Sequence, residues 1–208
     1  MYKSFFKALL DWWLAFFAIF LLIPLFLIVA VLIIIDSAGP VFFIQERLGK
    51  NGDIFKVFKF RSMRGNQPLK TKKVAKLYEN DPRITKVGRF IRKTSIDELP
   101  QLINILKGEM SFIGPRPPVT YFPKKFEDYS DFEKKRFQVK PGISGLAQVR
   151  CREVHDWDVN IPIDVEYVKN YSFTYDLKLF LSSLFFFFKT DNIYRKDDGN
   201  TGSELKDK

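Results

Sequence analysis

The sequence contains very little cysteine and histidine. Cys151 is the single cysteine and His155 the single histidine among 208 residues. One cysteine cannot form an intrachain disulfide, which favours a reducing compartment for the soluble part of the chain. One histidine argues against a histidine-rich zinc site and against a Ser-His triad. An acid, base or nucleophile in this chain is therefore expected to be a carboxylate.

Charged residues are missing from an N-terminal segment. None lies between Trp12 and Ile35, and this apolar run exceeds the roughly 20 residues that a helix needs to cross the hydrocarbon core. A signal peptide is the main alternative. However, the run is longer than a typical signal-peptide core, and no small-residue cleavage site follows it before Asp36. The run predicts a membrane helix.

The residues themselves leave the topology of this helix open. Pro24 lies at its centre, where a proline costs about 3 kcal/mol and frees a backbone carbonyl. Both a kinked span and a re-entrant helix that turns back accommodate it. Basic residues lie on both sides of the run, so the positive-inside rule does not place the two ends on opposite faces. These residues are Lys3 and Lys7 before the run and Arg47 and Lys50 after it.

The remaining sequence is basic and short. With 208 residues, the chain is long enough for one ordinary domain, or for one small domain beside a membrane element, and no internal repeat is visible. Its net charge of +10 suits an anionic partner, which could be a phospholipid surface, a nucleic acid or a phosphorylated substrate. Charge alone does not choose among these three.

Local patterns after residue 36 predict an α+β fold that is mainly helical. Segments 41–47 and 54–61 are rich in strand formers and flank Gly49–Gly52, which supplies the positive-φ residues of a β-hairpin. A helix capped by Thr85 is predicted with Val87, Phe90 and Ile91 facing inward. Further helices are predicted at 123–140, 164–169 and 175–188, with a loop or weak surface helix at 67–81 and a turn-rich connector at 140–148. The apolar run 180–188 is too short to span and indicates an interfacial or core helix.

Asp97 and Glu98 form an acidic pair directly after a basic stretch. A structural explanation is available, because Ser95 and Glu98 match a capping box and both acids suit the positive end of the helix that follows. Pro100 fits the start of that helix, and Gly108 fits its end. Spacing alone does not require a functional explanation.

A second motif favours chemistry at this pair. Arg116 lies between Pro115 and Pro117, so its backbone has little freedom and it can present a preorganised fork to a phosphate. A carboxylate shares a site with a phosphate only if something offsets their repulsion, and Mg²⁺ does so through oxygen ligands. Arginines, an acid pair and an implied metal together predict phosphoryl transfer.

Five ordered motifs resemble the bacterial sugar transferase family, the monotopic polyprenyl-phosphate phosphoglycosyl transferases. The similarity runs from the membrane segment to about Lys189, nearly the whole chain. Each motif alone is weak, and their order makes the signal strong. The motifs are Lys-Phe-Arg-Ser-Met at 59–63, Asp-Pro-Arg-Ile-Thr at 81–85, Ser-Ile-Asp-Glu-Leu-Pro-Gln at 95–101, Gly-Pro-Arg-Pro at 114–117 and Lys-Pro-Gly-Ile-Ser-Gly at 140–145.

The resemblance implies an enzyme that initiates a membrane-linked glycan pathway. Such an enzyme transfers a sugar 1-phosphate from a nucleotide sugar, expected to be a UDP-sugar, to undecaprenyl phosphate and releases UMP. It implies that Asp97 is both the nucleophile that forms a covalent phosphosugar intermediate and a Mg²⁺ ligand, and that Glu98 orients the pair and assists proton removal. Phosphate binding is implied for Arg92 and Arg116, and Lys59 and Arg61 are expected to join them.

The resemblance also implies a place in the cell and a domain plan. Pro24 breaks a re-entrant helix in this family, so both ends stay on the cytoplasmic face of the bacterial inner membrane, in contact with its lipids. We expect a re-entrant membrane helix at 1–36, a cytoplasmic catalytic domain with interfacial amphipathic helices at 37–190, and a disordered polar tail at 191–208.

Two departures from the family pattern bear on these expectations. Ile23 precedes Pro24 where the family often has serine, so no hydroxyl is available for the freed carbonyl. Cys151-Arg152-Glu153 replaces a common Gly-Arg-Asn, which makes Gln148, Arg152 and Glu153 candidate donor contacts. The sugar, the pathway and the oligomeric state are left open. A non-catalytic, membrane-anchored adaptor is the alternative function, while the membrane segment argues against nucleic-acid binding.

Overall fold

The computed structural model describes residues 2–65, 81–151 and 156–188. Within these ranges the fold is mainly helical, as the sequence predicts, and it contains two small β-sheets, of which only the hairpin was predicted. Three predictions lie outside the described residues. They concern most of the loop at 67–81, the candidate donor contacts Arg152 and Glu153, and the polar tail.

The membrane segment forms one long helix, α1, from Lys7 to Asp36, which follows a π-helical turn at Tyr2–Phe6. It is long and apolar enough to cross a membrane, and only 11% of its most apolar window is buried in the protein. Pro24 lies inside α1, and the helix continues through it. The predicted helix-break-helix is therefore not confirmed. A single proline removes one hydrogen bond and bends a helix, but the turns on either side can hold it together.

The predicted hairpin is confirmed. Strand β1, Phe42–Leu48, pairs antiparallel with β2, Ile54–Phe60. Asn51 and Gly52 supply positive φ angles of 56° and 85° in the connecting turn. Since directly opposed residues share a face, the pairs Phe43–Lys59 and Arg47–Phe55 place two cations on one face of the hairpin.

Helix α2, Lys86–Lys93, begins as predicted. The Thr85 hydroxyl accepts a hydrogen bond from the Gly88 N–H at 2.8 Å. One inward residue was predicted wrongly, because Phe90 is 62% exposed. Burial in α2 centres on Gly88 and Ile91, and each residue turns the helix by about 100°, which takes Phe90 away from the buried face. Helix α3, Gln101–Leu106, follows the acidic pair and ends near Gly108, whose φ is +78°.

A parallel strand pair was not predicted. Strand β3, Ser111–Ile113, pairs with β4, Gly142–Ser144, inside the segment that was predicted to be a connector. Each strand has three residues, too few for alternation to be visible. Gly142 permits the approach, because a Cβ at this position would collide with the backbone of Gly114.

The predicted helix at 123–140 is wrong. The chain instead forms a 3₁₀ turn at Phe126–Asp128, the short helix α4 at Asp131–Lys134 and a second 3₁₀ turn at Lys135–Gln138. Ser130 and Glu133 form a capping box that starts α4, and Ser130 itself is extended. A serine that caps a new helix interrupts the previous one.

Three helices complete the described chain. They are α5, Leu146–Arg150, α6, Trp157–Asn170, and α7, Phe173–Phe188. The last two confirm the predicted closing helices and begin earlier than predicted. The shared core holds α1 against the rest of the chain: Ala15 packs with Phe55, Val57, Leu102, Ile105 and Met110, and Val29 and Ile33 pack with Phe60 and Ile91.

Candidate active site

The acidic pair lies in a tight turn between α2 and α3. Ser95 has a positive φ of 54°, and Ile96–Glu98 form a single 3₁₀ turn closed by the Glu98 N–H on the Ser95 carbonyl at 3.1 Å. A left-handed serine costs about 1–2 kcal/mol. The predicted capping box is wrong, because the Ser95 side chain makes no capping hydrogen bond and the Glu98 carboxylate binds a lysine instead.

Glu98 is held as a carboxylate by two cations. Its Oε1 lies 2.6 Å from Lys59 Nζ and 3.7 Å from Arg116 Nη2. Burial raises the pKa of Glu98, but the charges of Lys59, Arg116 and Arg47 outweigh burial and hold the pKa at about 2. Glu98 is therefore ionised throughout the neutral range.

Asp97 has the opposite environment. Within the described residues its carboxylate accepts no hydrogen bond. Burial raises its pKa to about 6, and Glu98 contributes in the same direction, while Lys59, Arg92 and Arg116 oppose the shift. At neutral pH, Asp97 is thus mostly ionised, and its oxygens remain available for a phosphorus atom or a metal ion.

The proline-rich loop that carries Arg116 is fixed through its carbonyl groups. Prolines lack an N–H, so three of the residues 115–118 cannot donate a backbone hydrogen bond. Instead, the four successive carbonyls accept hydrogen bonds from Gly142 N, Arg136 Nη2, Arg47 Nη1 and Leu48 N at 3.0, 2.8, 2.9 and 2.9 Å. The loop is therefore anchored at every residue, which preorganises the guanidinium of Arg116 beside Glu98.

A shallow cleft opens beside this loop. Its polar lining consists of Arg47, Lys59, Gln101 and Arg116, and the remainder is apolar or backbone. Arg47 and Gln101 were not predicted. The position of Arg47 could have been inferred from strand alternation, which places it on the same hairpin face as Lys59. Burial, reinforced by repulsion from Arg116, lowers the pKa of Arg47 to about 10, so it remains a cation.

The other predicted site residues divide into two groups. Arg92, in the last turn of α2, contributes its charge to Asp97, so it lies on the site side. Arg61 does not face the acids: its guanidinium is buried and donates to the carbonyls of Ser37 and Ala38 at 2.6 and 2.8 Å, just beyond the end of α1. Gln148, on α5, does not line the cleft, and its buried amide atoms have no partner within the described residues.

The acidic pair is a suitable but incomplete metal site. The described residues contain no group of three or more His, Cys, Asp or Glu side chains that could hold a metal. Mg²⁺ is commonly bound by one or two carboxylates together with substrate phosphates. Asp97 provides an uncommitted carboxylate, whereas Oε1 of Glu98 is already paired with Lys59. The residues present therefore fit Mg²⁺ held jointly by Asp97 and a bound phosphate.

Comparisons with known proteins identify relatives of this chain. A family model described as "Bacterial sugar transferase" matches residues 2–190. The galactosyl transferase CpsE of Streptococcus agalactiae is 45% identical over 159 residues, which are 71% of this chain and 34% of the relative. A UDP-N-acetylgalactosamine-undecaprenyl-phosphate N-acetylgalactosaminephosphotransferase of Aeromonas hydrophila is 42% identical over 184 residues, 87% of this chain and 43% of the relative. This chain thus spans less than half of either protein.

One relative has a size closer to this chain. The uncharacterized sugar transferase EpsL of Bacillus subtilis is 45% identical over 168 residues, which are 78% of this chain and 78% of the relative. The names of the two longer relatives refer to different sugars, galactose and N-acetylgalactosamine. Similarity at this level therefore does not identify the sugar.

Proposed function

Because the chain belongs to the bacterial sugar transferase family, we propose that it transfers a sugar 1-phosphate from a UDP-sugar to undecaprenyl phosphate and releases UMP. The observation that carries this proposal is the uncommitted carboxylate of Asp97, which is mostly ionised at neutral pH and is influenced by three cations, Lys59, Arg92 and Arg116. The relatives reported above have transferase names, so they give the adaptor hypothesis no support.

The proposed reaction has two displacements at phosphorus. An oxygen of the Asp97 carboxylate attacks the β-phosphorus of the UDP-sugar, and the bond to the bridging oxygen breaks as UMP leaves with the electron pair. A phosphate oxygen of undecaprenyl phosphate then attacks the same phosphorus, and the Asp97 carboxylate leaves. Splitting one displacement into two in this way is the usual advantage of covalent catalysis.

Arg47, Arg92 and Arg116 are proposed to bind the phosphates of the two substrates. Arg116 is the strongest candidate, because its loop is anchored at four carbonyls while its side chain is 45% exposed. Arginine binds phosphate oxygens in a bidentate manner, and a fixed backbone reduces the entropy lost on binding. Lys59 neutralises Glu98 and so contributes less free charge.

Glu98 is proposed to orient the site rather than to remove a proton. A group with a pKa of about 2 is a weak base at neutral pH. The attacking groups in both steps, a carboxylate and a phosphate, are already ionised. Glu98 therefore acts by holding Lys59 and Arg116 in place beside Asp97.

Mg²⁺ is proposed as the cofactor. Asp97 would hold it together with the donor phosphates, and a hard cation there supplies charge neutralisation for the leaving phosphate. Glu98 offers its second oxygen, Oε2, which accepts no hydrogen bond within the described residues.

We propose a location at the cytoplasmic face of the inner membrane, with α1 as a re-entrant anchor bent at Pro24. Helix α7 supports an interfacial placement. The hydroxyl of Tyr2 and the ammonium of Lys7 contact Asp176 at 2.6 and 2.7 Å, which fixes α7 beside the start of α1. An exposed apolar stripe then runs along α7, formed by Phe173, Leu177, Leu181, Leu184 and Phe185. Such a stripe suits the boundary between headgroups and acyl chains.

Intact-protein mass spectrometry tests the covalent step. Detergent-solubilised protein is mixed with Mg²⁺ and each of a panel of UDP-sugars, without lipid acceptor. We expect a mass gain of one sugar phosphate with the correct donor, absent in Asp97→Asn and retained in Asp128→Asn, an exposed control. An adduct that persists in Asp97→Asn would contradict the assignment of the nucleophile. UMP release on addition of undecaprenyl phosphate then tests the second step.

A further inference from the structure

A buried ion pair lies behind the loop that carries Arg116. Arg136 and Asp164 are each 1% exposed, and Oδ2 of Asp164 accepts from Nε and Nη2 of Arg136 at 3.1 and 2.6 Å. Arg136 belongs to the 3₁₀ turn after α4, and Asp164 lies on α6. Neither residue lines the cleft.

The same guanidinium also holds the backbone of Arg116. Nη2 of Arg136 donates to the Arg116 carbonyl at 2.8 Å. Two aromatic rings restrict the guanidinium further, because its carbon lies 5.1 Å from the ring centre of Phe137 and 5.3 Å from that of Trp157. Asp164 thus orients Arg136 by its charge, the rings fix its plane, and Arg136 fixes the peptide that carries Arg116.

Stability alone is a poor explanation for this pair. Desolvation largely cancels the attraction within a buried ion pair, so such a pair adds little net stability. The pair is also incompletely satisfied: Nη1 of Arg136 and Oδ1 of Asp164 are buried and have no hydrogen-bond partner within the described residues. Its distinct contribution is the position that it imposes on the Arg116 carbonyl.

We propose that Arg136, oriented by Asp164, is a positioning residue for Arg116. This inference rests on the proposed function, since it concerns the guanidinium that binds donor phosphate. Moving Arg116 by about 1 Å is expected to reduce catalytic efficiency up to about 100-fold. Because Arg116 is proposed to bind donor phosphate, its displacement should raise KM for the UDP-sugar.

The test is a double-mutant cycle between Arg136→Lys and Arg116→Ala. Lysine keeps the charge opposite Asp164 but lacks the planar guanidinium fork that binds Asp164 and the Arg116 carbonyl in one fixed geometry. We expect Arg136→Lys to weaken UDP binding by calorimetry about 10-fold or more in the wild-type background, and by less than about 2-fold when Arg116 is already alanine. Equal losses in both backgrounds would overturn the proposal.

A matched control distinguishes the effect on Arg116 from the general effect of weakening an ion pair with α6. Arg150 and Glu166 form an exposed pair at 2.6 Å, and Glu166 lies two residues from Asp164. Arg150→Lys should leave both UDP binding and KM for the UDP-sugar unchanged. If Arg136→Lys does not fold, Asp164→Asn carries the same cycle, because asparagine keeps the shape and an acceptor oxygen. Failure of both variants to fold would overturn the proposal, since the pair would then be a requirement of the fold.

The outcomes also separate this inference from the proposed function. Wild-type protein that binds UDP but forms no adduct with any UDP-sugar would contradict the proposed reaction and leave the positioning cycle measurable. If the wild-type protein bound neither UDP nor pyrophosphate, the cleft would not be a phosphate-binding site, and both proposals would be wrong. Binding, adduct formation and a non-additive cycle would support both.

Discussion

The pH dependence of adduct formation should report the environment of Asp97. Only the carboxylate form attacks phosphorus, so the rate should follow the deprotonated fraction. With a pKa of about 6, Asp97 is about nine-tenths ionised at pH 7, half ionised at pH 6 and about one-tenth ionised at pH 5. An aspartate with the ordinary value of 3.8 would remain ionised across this range.

Replacing Lys59 by methionine should shift this profile in a defined direction. Lys59 is the strongest of the cations that oppose the raised pKa of Asp97. Burial raises the pKa of Glu98, but the surrounding cations bring that pKa from 4.5 to about 2. This net shift corresponds to about 3 kcal/mol of stabilisation of the ionised carboxylate. Without Lys59, we expect the midpoint for Asp97 to rise by about one pH unit, or about 1.4 kcal/mol. At pH 6, the rate relative to the plateau should then fall from about one-half to about one-tenth.

The assay is single-turnover adduct formation followed by intact mass between about pH 5 and pH 9. The midpoint of the pH–rate profile is compared between the wild type and Lys59→Met. The plateau rate is not used, because Lys59→Met can also weaken donor binding. Lys107→Met is the matched control: Lys107 pairs with Glu109 at 2.7 Å and lies outside the cleft. A wild-type midpoint near 4 would refute the argument from burial. An unchanged midpoint in Lys59→Met would refute the assigned coupling.

Four further perturbations test separate parts of the proposal. Ser95→Gly relieves the left-handed serine and should retain the wild-type melting temperature, whereas Ser95→Val should destabilise the protein by about 1–2 kcal/mol in urea unfolding. Arg61→Met should lower the free energy of unfolding by about 2–3 kcal/mol, because it removes the hydrogen bonds to the carbonyls after α1. KM for the UDP-sugar should not change. A raised KM with unchanged stability would instead favour the predicted role of Arg61 in phosphate binding. Pro24→Ala should straighten α1 and move an N-terminal tag out of the cytoplasm in a protease-accessibility assay, and a tag that remains cytoplasmic would contradict the re-entrant proposal. Excess EDTA should abolish adduct formation, and full activity in EDTA would exclude the Mg²⁺ proposal.

Local sequence signals predicted the hairpin that carries Lys59 and the helix that precedes the acids. The positive-φ turn of the hairpin and the Thr85 cap of α2 are each encoded within a few residues, and both are confirmed. The capping-box prediction was wrong for a reason that is not local. Lys59 lies on another element and captures the Glu98 carboxylate, which a reading of residues 95–98 could not reveal.

Arg61 illustrates the limit of alternation. Lys59 and Arg61 share a face only if the strand continues through both residues, but β2 ends at Phe60. Beyond that point, the side chain of Arg61 turns to the free carbonyls after α1, where unpaired C=O groups at a helix end attract a cation. The strand end, one residue earlier than predicted, separates Arg61 from the acids.

Long-range partners had no sequence signal at all. The β3–β4 pair joins segments about 30 residues apart, and each strand contains three residues. The Arg136–Asp164 pair likewise joins residues separated by 28 positions. Charged residues in a basic chain are normally read as exposed, so burial of this arginine becomes visible only when α6 is placed against the proline-rich loop.

The charge balance of the cleft connects these features to the proposed reaction. Arg47, Lys59, Arg92 and Arg116 face Asp97 and Glu98, which leaves a net charge of +2 at neutral pH. The diphosphate of a UDP-sugar carries two negative charges, so the donor would balance the charge of these side chains, before the charge of the proposed Mg²⁺ is counted. In the proposed reaction, attack by Asp97 would convert its carboxylate into an acyl phosphate and release the charge of UMP, which would restore a cationic cleft for the incoming lipid phosphate. A site with one more carboxylate would bind the donor weakly, and a site without Lys59 would lose the strongest charge that opposes the raised pKa of Asp97.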